Sequence, residues 1–292
     1  MHIIISAILW LCVIVSTATA QDSPTIPFVD AHVHLSRPAA LVQLMNSEHI
    51  DKAIVFWGRD SDNGALAEAA RAHPDRLIPF ISVSPERRRY RDFWTGDEKP
   101  LLGEVKDLLE TGMYKGIGEI SVVHFPSRGF PEADFDPLGA MMTGLMRLAE
   151  QYRVPITIHC EITRLREFAS LLDAFPDVQV IWAHGGYTPY FLARRMIERH
   201  GNLTYELSAR TYLHHRRSPD YTIFRNEMKV WPRWLALIED YPTRFIIGTD
   251  GTQRRLGSDR SKIDRVRLLL SQLTTETRGL VATGNILRLL GR

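Results

Sequence analysis

Phe28-Val29-Asp30-Ala31-His32-Val33-His34 is the stretch from which the fold is read. Its apolar and β-branched residues make a strand. Ser36 reads as the N-cap of a following helix, with Pro38 inside the first turn. The side-chain period of two predicts that Asp30, His32 and His34 share one face. Two imidazoles side by side are poor core residues, so that face is expected to open on a site.

Outward from this strand, strand and helix signals alternate. Strands are predicted at 53–57, 77–83, 116–122, 155–160, 178–183, 203–207 and 244–248. Helices are predicted at 63–73, 101–110, 163–175, 231–241, 262–273 and 275–290. Two more open at prolines: Asp136-Pro137 leads a helix to Tyr152, and Thr188-Pro189 one to about His200. Eight β-then-α units predict parallel strands with crossover helices, an α/β fold in the form of a single (β/α)8 TIM-type barrel. The competing arrangement, an open doubly wound sheet, would be favoured by a Gly-rich phosphate turn after the first strand, and that turn is missing.

Composition narrows the class. The chain has 292 residues, 36 Lys+Arg against 34 Asp+Glu, a formal charge of +2 and 45% hydrophobic residues. This excludes disordered and collagen-like chains, and the basic excess is too small for a nucleic-acid partner. Residues 1–20 carry no Lys, Arg, Asp or Glu and end in Ala18-Thr19-Ala20. They read as a signal peptide cleaved after Ala20, leaving a domain over 21–292 that is secreted or periplasmic. No later stretch is apolar enough to span a membrane. Of the two cysteines, Cys12 lies in the leader and Cys160 is left alone, so disulfide and zinc-finger scaffolds are excluded. Cys160 points away from His159 and reads as a buried structural thiol.

The chemistry gathers where strands end. His159 closes the fifth strand, His184 the sixth (before Gly185-Gly186) and Asp250 the eighth, while Glu119 interrupts the apolar fourth strand. In a barrel these positions face inward and toward the catalytic rim. A buried carboxylate needs a cation or a neutral state, and a salt bridge to an arginine is the alternative for Glu119. His32, His34, Glu119, His159, His184 and Asp250 together make an N/O donor set suited to Zn²⁺, Mn²⁺ or Fe²⁺. His124 and His214 lie on loops near this rim, as do Arg210 and Arg254, which could clamp a carboxylate. Ordinary solvated surface is the competing reading for each. The expected partner is a small-molecule substrate, with a carboxylate if the arginines are engaged; a homo-oligomer is left open.

Asp30-Ala31-His32-Val33-His34, His159, His184-Gly185-Gly186 and Gly248-Thr249-Asp250 resemble the amidohydrolase superfamily, in its amidohydrolase-related branch. The closing Gly284-Asn285-Ile286-Leu287-Arg288-Leu289-Leu290-Gly291 resembles that branch's last helix, so the likeness spans about residues 27–291. Gly116-Ile117-Gly118-Glu119-Ile120 is similar instead to the fourth strand of TatD-like hydrolases, where the glutamate bridges two metals. The resemblance implies a barrel with one or two divalent ions that hydrolyses amides, lactones or other esters. The branch also contains non-oxidative decarboxylases. One ion implies a shell of His32, His34, His159 and Asp250, with His184 as acid or base. Two imply that Glu119 bridges and that His159 and His184 hold the second. Asp250 would bind metal or take the water's proton. Glu119 leans the reading toward hydrolysis. A non-catalytic binding protein is disfavoured because every ligand position holds a ligand-type residue.

Overall fold

The computed structural model describes residues 26–57, 62–83, 94, 96–126, 132–212 and 222–291. The predicted leader at 1–20 and His214 lie outside the described residues. The order of elements is β1 (Phe28–Leu35), α1 (Pro38–Ser47), β2 (Ile50–Trp57), α2 (Asn63–Ala72), β3 (Leu77–Pro79), α3 (Lys99–Glu110), β4 (Ile117–His124), β5 (Ala133–Asp134), α4 (Ala140–Tyr152) and β6 (Ile156–Cys160). It continues with α5 (Leu165–Ala174), β7 (Val180–Trp182), α6 (Tyr190–Arg199), β8 (Leu203–Glu206), α7 (Pro232–Asp240), β9 (Phe245–Ile246), α8 (Leu256–Leu270), α9 (Thr275–Gly279) and α10 (Asn285–Leu289).

Strands β1, β2 and β3 pair in parallel, as do β4, β6, β7, β8 and β9 in that order. Backbone bonds join the two groups at both edges. Ile81 N donates to Gly116 O and Gly118 N to Ile81 O, each at 2.8 Å, tying β3 to β4. Ala31 N donates to Ile247 O, Asp250 N to His32 O and His34 N to Gly251 O at 2.8–3.0 Å, tying the chain after β9 back to β1. The ring is closed, eight strands are parallel, and the expected barrel is present. The two-residue β5 runs antiparallel on β4, an addition that the alternating pattern did not contain.

Two hydrophobic cores follow from the closure. The small one fills the barrel with Val29, Ala31, Ile54, Phe56, Ile78, Phe80, Ile181 and Ile246, and Ile286 of α10 packs against it. The large one lies between strands and helices and holds Ile156, Ile158 and Cys160. Thus Ile156 and Ile158 face the helices, and the alternation turns His159 inward as expected.

Three predicted helix starts are corrected. Ser36 is not a cap: its N–H donates to Gln253 Oε1, and Arg37 takes the N-cap position with no side-chain capping bond, its guanidinium donating instead to Gln253 O. Asp136 forms an Asx-turn, its Oδ1 accepting from Leu138 N, and α4 begins only at Ala140. Thr188 instead donates its hydroxyl to Gly185 O, so α6 starts after Pro189. Conversely, α8 begins at Leu256 rather than Lys262, with Asp259 in its first turn, where a carboxylate favours the helix.

Two irregularities set the site. On β1, Asp30 pairs with Ala53 and Val33 with Val55, so three residue steps oppose two. This bulge shifts the alternation. Asp30 therefore does not share the face of His32 and His34. It accepts from Thr249 N at 2.9 Å and Thr249 Oγ1 at 2.6 Å across the seam. On β4, Ile117 pairs with Ile156 and Ile120 with Ile158, bulging Gly118 and Glu119. Gly118 has φ +119°, and a Cβ there would lie 2.4 Å from Thr157 O. Only glycine fits this bend. Among the described residues, no helix is long and apolar enough to cross a membrane.

Candidate functional site

Glu119 stands at the centre of four imidazoles. Its Oε2 is 3.3 Å from both His32 Nε2 and His34 Nε2. Its Oε1 is 3.0 Å from His159 Nδ1 and 3.5 Å from His184 Nε2. Asp250 Oδ1 closes the open side, 3.4 Å from His34 Nε2 and 3.9 Å from His32 Nε2. The six residues named from sequence therefore meet in one cluster, and among the described residues no arginine pairs with Glu119. His32 is wholly buried; His34 and Asp250, with side chains 27% and 29% exposed, mark the mouth.

Backbone geometry aims two of these side chains. His184 (φ 54°) and Asp250 (φ 50°) both occupy the left-handed region. His and Asp tolerate it better than most residues, yet it is a strained placement of the kind found at functional sites.

Charge follows from the packing. Burial would raise the Glu119 carboxyl, but His32 and the hydrogen bonds of His159 and His184 hold it well below the usual carboxylate range. Burial likewise opposes ionisation of Asp250, and His34 and Lys262 more than offset it, leaving Asp250 ionised. Burial disfavours a charged His34, yet Asp250 and Glu119 push it up to about 9. For His159, Glu119 and Glu161 overcome burial in the same way, again to about 9.

Donor chemistry and spacing fit a divalent cation. The donors are imidazole nitrogens and carboxylate oxygens, and the buried Cys160 faces the other way. Their separations from Glu119, 3.0–3.5 Å, match the edge of a coordination shell with bonds of ~2.1 Å. Buried His32 Nε2 has no partner that satisfies hydrogen-bond geometry. His32-His34-Glu119 and Glu119-His159-His184 each form a group able to hold one ion.

The remaining sequence candidates are placed differently. His124 reaches the cluster edge, its ring 4.8 Å from that of His159. Arg254 is exposed. Arg210 is fully buried behind His184: it donates to Tyr205 Oη at 2.8 Å and Thr188 O at 2.9 Å and stacks 5.0 Å over Trp234. That places it among the outer packing, neither at the rim as a carboxylate clamp nor on a solvated surface, the two readings its sequence position allowed.

Four residues escaped the sequence reading. Glu206, wholly buried at the end of β8, lies 3.3 Å from His32 Nδ1. Glu161 lies 3.1 Å from His159 Nε2. Tyr187 stacks on His184 at 5.2 Å. Tyr212 donates to Thr249 O at 3.1 Å and lies 3.4 Å from Asp250 Oδ2. Glu206 was findable: it is the one charged residue in the strand segment Leu203-Thr204-Tyr205-Glu206-Leu207.

The chain belongs to the amidohydrolase family, whose profile it matches over residues 29–292. No curated protein matches it. Among solved structures, an Acinetobacter baumannii protein described as a probable 2-pyrone-4,6-dicarboxylic acid hydrolase, with citric acid bound, superposes with TM-score 0.61 and 11% identity, covering 92% of this chain and 100% of the other. A dihydroxybenzoic acid decarboxylase of Polaromonas sp. JS666, with bound manganese and 2-nitroresorcinol, gives TM-score 0.57 and 12% identity over 91% and 97% of the two chains. A 2,6-dihydroxybenzoate decarboxylase from Rhizobium gives TM-score 0.57 and 13% identity over 91% and 98%. At these identities the likeness is one of fold, and the chain is accordingly an enzyme-family barrel whose reaction must be argued from its own residues.

Proposed function

We propose that this protein is a metal-dependent hydrolase of a small amide, ester or lactone. The observation that carries the reading is the division of Glu119, one oxygen toward His32 and His34 and the other toward His159 and His184. That is the arrangement of a carboxylate shared by two cations. His32, His34 and Asp250 would hold one ion, Zn²⁺, Mn²⁺ or Fe²⁺, and His159 with His184 the other. When bound, such an ion lowers the pKa of its water from 15.7 to about 7 and polarises a substrate carbonyl. Asp250, ionised and open at the mouth, is placed to take the attacking water's proton and return it to the leaving group. Tyr212, beside Asp250 Oδ2, orients that carboxylate. His124, its ring 4.8 Å from that of His159, would touch the substrate.

A non-oxidative decarboxylase is the second reading, supported by the fold it shares with the Polaromonas and Rhizobium decarboxylases. The test is metal analysis of the purified protein followed by assay of the loaded enzyme on lactones, esters, amides and hydroxybenzoates. Acid release with no CO₂ supports the hydrolase. CO₂ evolution from a hydroxybenzoate moves the assignment to decarboxylation. Glu119→Gln is expected to lower the metal content from two ions to one; unchanged stoichiometry would remove the shared-carboxylate argument.

A further inference from the structure

Beneath the donor cluster runs a second, fully buried set of polar groups. Glu206 Oε2 accepts from Ser208 Oγ at 2.6 Å and from His184 N at 3.2 Å, and it lies 3.3 Å from His32 Nδ1. Its other oxygen accepts from Ser208 N. His184 Nδ1 in turn lies 2.8 Å from Ser208 Oγ and 3.2 Å from Ser208 O. Glu206 and Ser208 are both wholly buried.

The proton count along this chain has one solution. Every group on Glu206 is a donor, so it serves as a carboxylate that only accepts. Ser208 has one hydroxyl proton, which the 2.6 Å contact commits to Glu206. Ser208 Oγ must then accept from His184, and Ser208 O can only accept, so His184 carries its proton on Nδ1. His32 Nδ1 faces the same carboxylate and must donate as well. With Nδ1–H so fixed, Nε2 is in both rings the atom left to give a lone pair to a cation, and both Nε2 atoms face Glu119. Gly248 makes room for the arrangement: a Cβ there would lie 2.9 Å from Glu206 Oε1 and 2.7 Å from His32 Cβ.

We propose that Glu206, extended by Ser208, is a positioning residue that fixes the tautomers of His32 and His184 and thereby sets the cation affinity of the cluster. This rests on the metal-centre reading above. Outer hydrogen bonds of this kind fix ring orientation and raise ligand basicity. A purely structural Glu206 would only tie the end of β8 to the backbone of His184 and Ser208.

The test is Zn²⁺ binding to the folded full-length protein, by competition with a chromophoric chelator, with ¹⁵N spectra of the imidazoles in the Zn²⁺-loaded state. Glu206→Gln keeps the shape and puts an amide N–H₂ where an acceptor stood. Its Zn²⁺ affinity is expected to fall about 10- to 100-fold, with His32 no longer held as the Nδ1–H form. Ser208→Ala is expected to lose less, because Ser208 O still accepts from His184. The double variant should be no worse than Glu206→Gln, since both break one chain of bonds. Wild-type affinity and unchanged imidazole spectra in both single variants would overturn the proposal and leave Glu206 as a backbone tie. If Glu206→Gln does not fold, Ser208→Ala decides alone, unchanged Zn²⁺ affinity counting against it. A wild type that takes up no Zn²⁺ refutes the metal centre itself, and that outcome is seen before any variant is made.

Discussion

Asp250 is the residue on which the proposed chemistry turns. Asp250→Asn keeps the volume and one oxygen but cannot accept a proton, so kcat is expected to fall about 10²- to 10⁴-fold while Zn²⁺ is partly retained. Steady-state kinetics beside metal analysis separates the two effects, and full activity would refute the role. The imidazoles give a second expectation. With His34 and His159 raised from 6.5 to about 9 by their carboxylates, both carry protons at pH 7 in the metal-free chain. A cation must displace them, so loading at pH 7 should release more than one proton per protein, and fewer as the pH rises through 9. Calorimetry in buffers of different ionisation enthalpy measures this. By the same sign, the stability that these ionised pairs give the metal-free protein is full below pH 6.5 and lost as pH rises through about 9.

Among the elements, β4 carries the sharpest local demand. Gly118→Ala forces a Cβ to within 2.4 Å of Thr157 O at φ +119°, which should cost a few kcal/mol and displace Glu119. Gly103, inside α3 with nothing within 4 Å of its Cβ position, is the control: Gly103→Ala should gain up to about 1 kcal/mol. Thermal melts of the pair distinguish strain from loss of glycine as such. The same strand shows how far the sequence could be read. Glu119 stood out because a carboxylate in Gly-Ile-Gly-Glu-Ile is anomalous in any apolar strand. The bulge that seats it was not legible, because a bulge is a relation between two strands. The bulge in β1 hid the fate of Asp30 for the same reason. Arg210 was misplaced because a loop position after a strand says nothing about which way a long side chain turns. Helix starts failed where Asp136 and Thr188 had competing backbone partners.

For the whole molecule, the critical join is the seam between β1 and the chain after β9, where Asp30 holds Thr249 across 219 residues of sequence. Asp30→Ala removes a buried acceptor from two Thr249 donors and His32 N, and should cost about 3 kcal/mol, lowering Tm by roughly 6 °C. A melt within 1–2 °C of wild type, on the order of experimental scatter, would show that the seam closes without it. The proposed leader belongs to this scale too: if residues 1–20 direct export, N-terminal sequencing of the mature protein should begin at Gln21, and intact Met1 in a soluble cytoplasmic pool would refute export.

That seam also dictates timing. His32 and Asp250 stand on opposite sides of it, so no half of the barrel contains the complete donor set. Contacts so distant along the chain form slowly, since loop closure must precede them. Tight capture of a cation by the proposed centre is therefore expected only in the last kinetic step of folding. In stopped-flow refolding with a Zn²⁺ indicator, uptake should follow the slowest phase, and its rate should slow in Asp30→Ala.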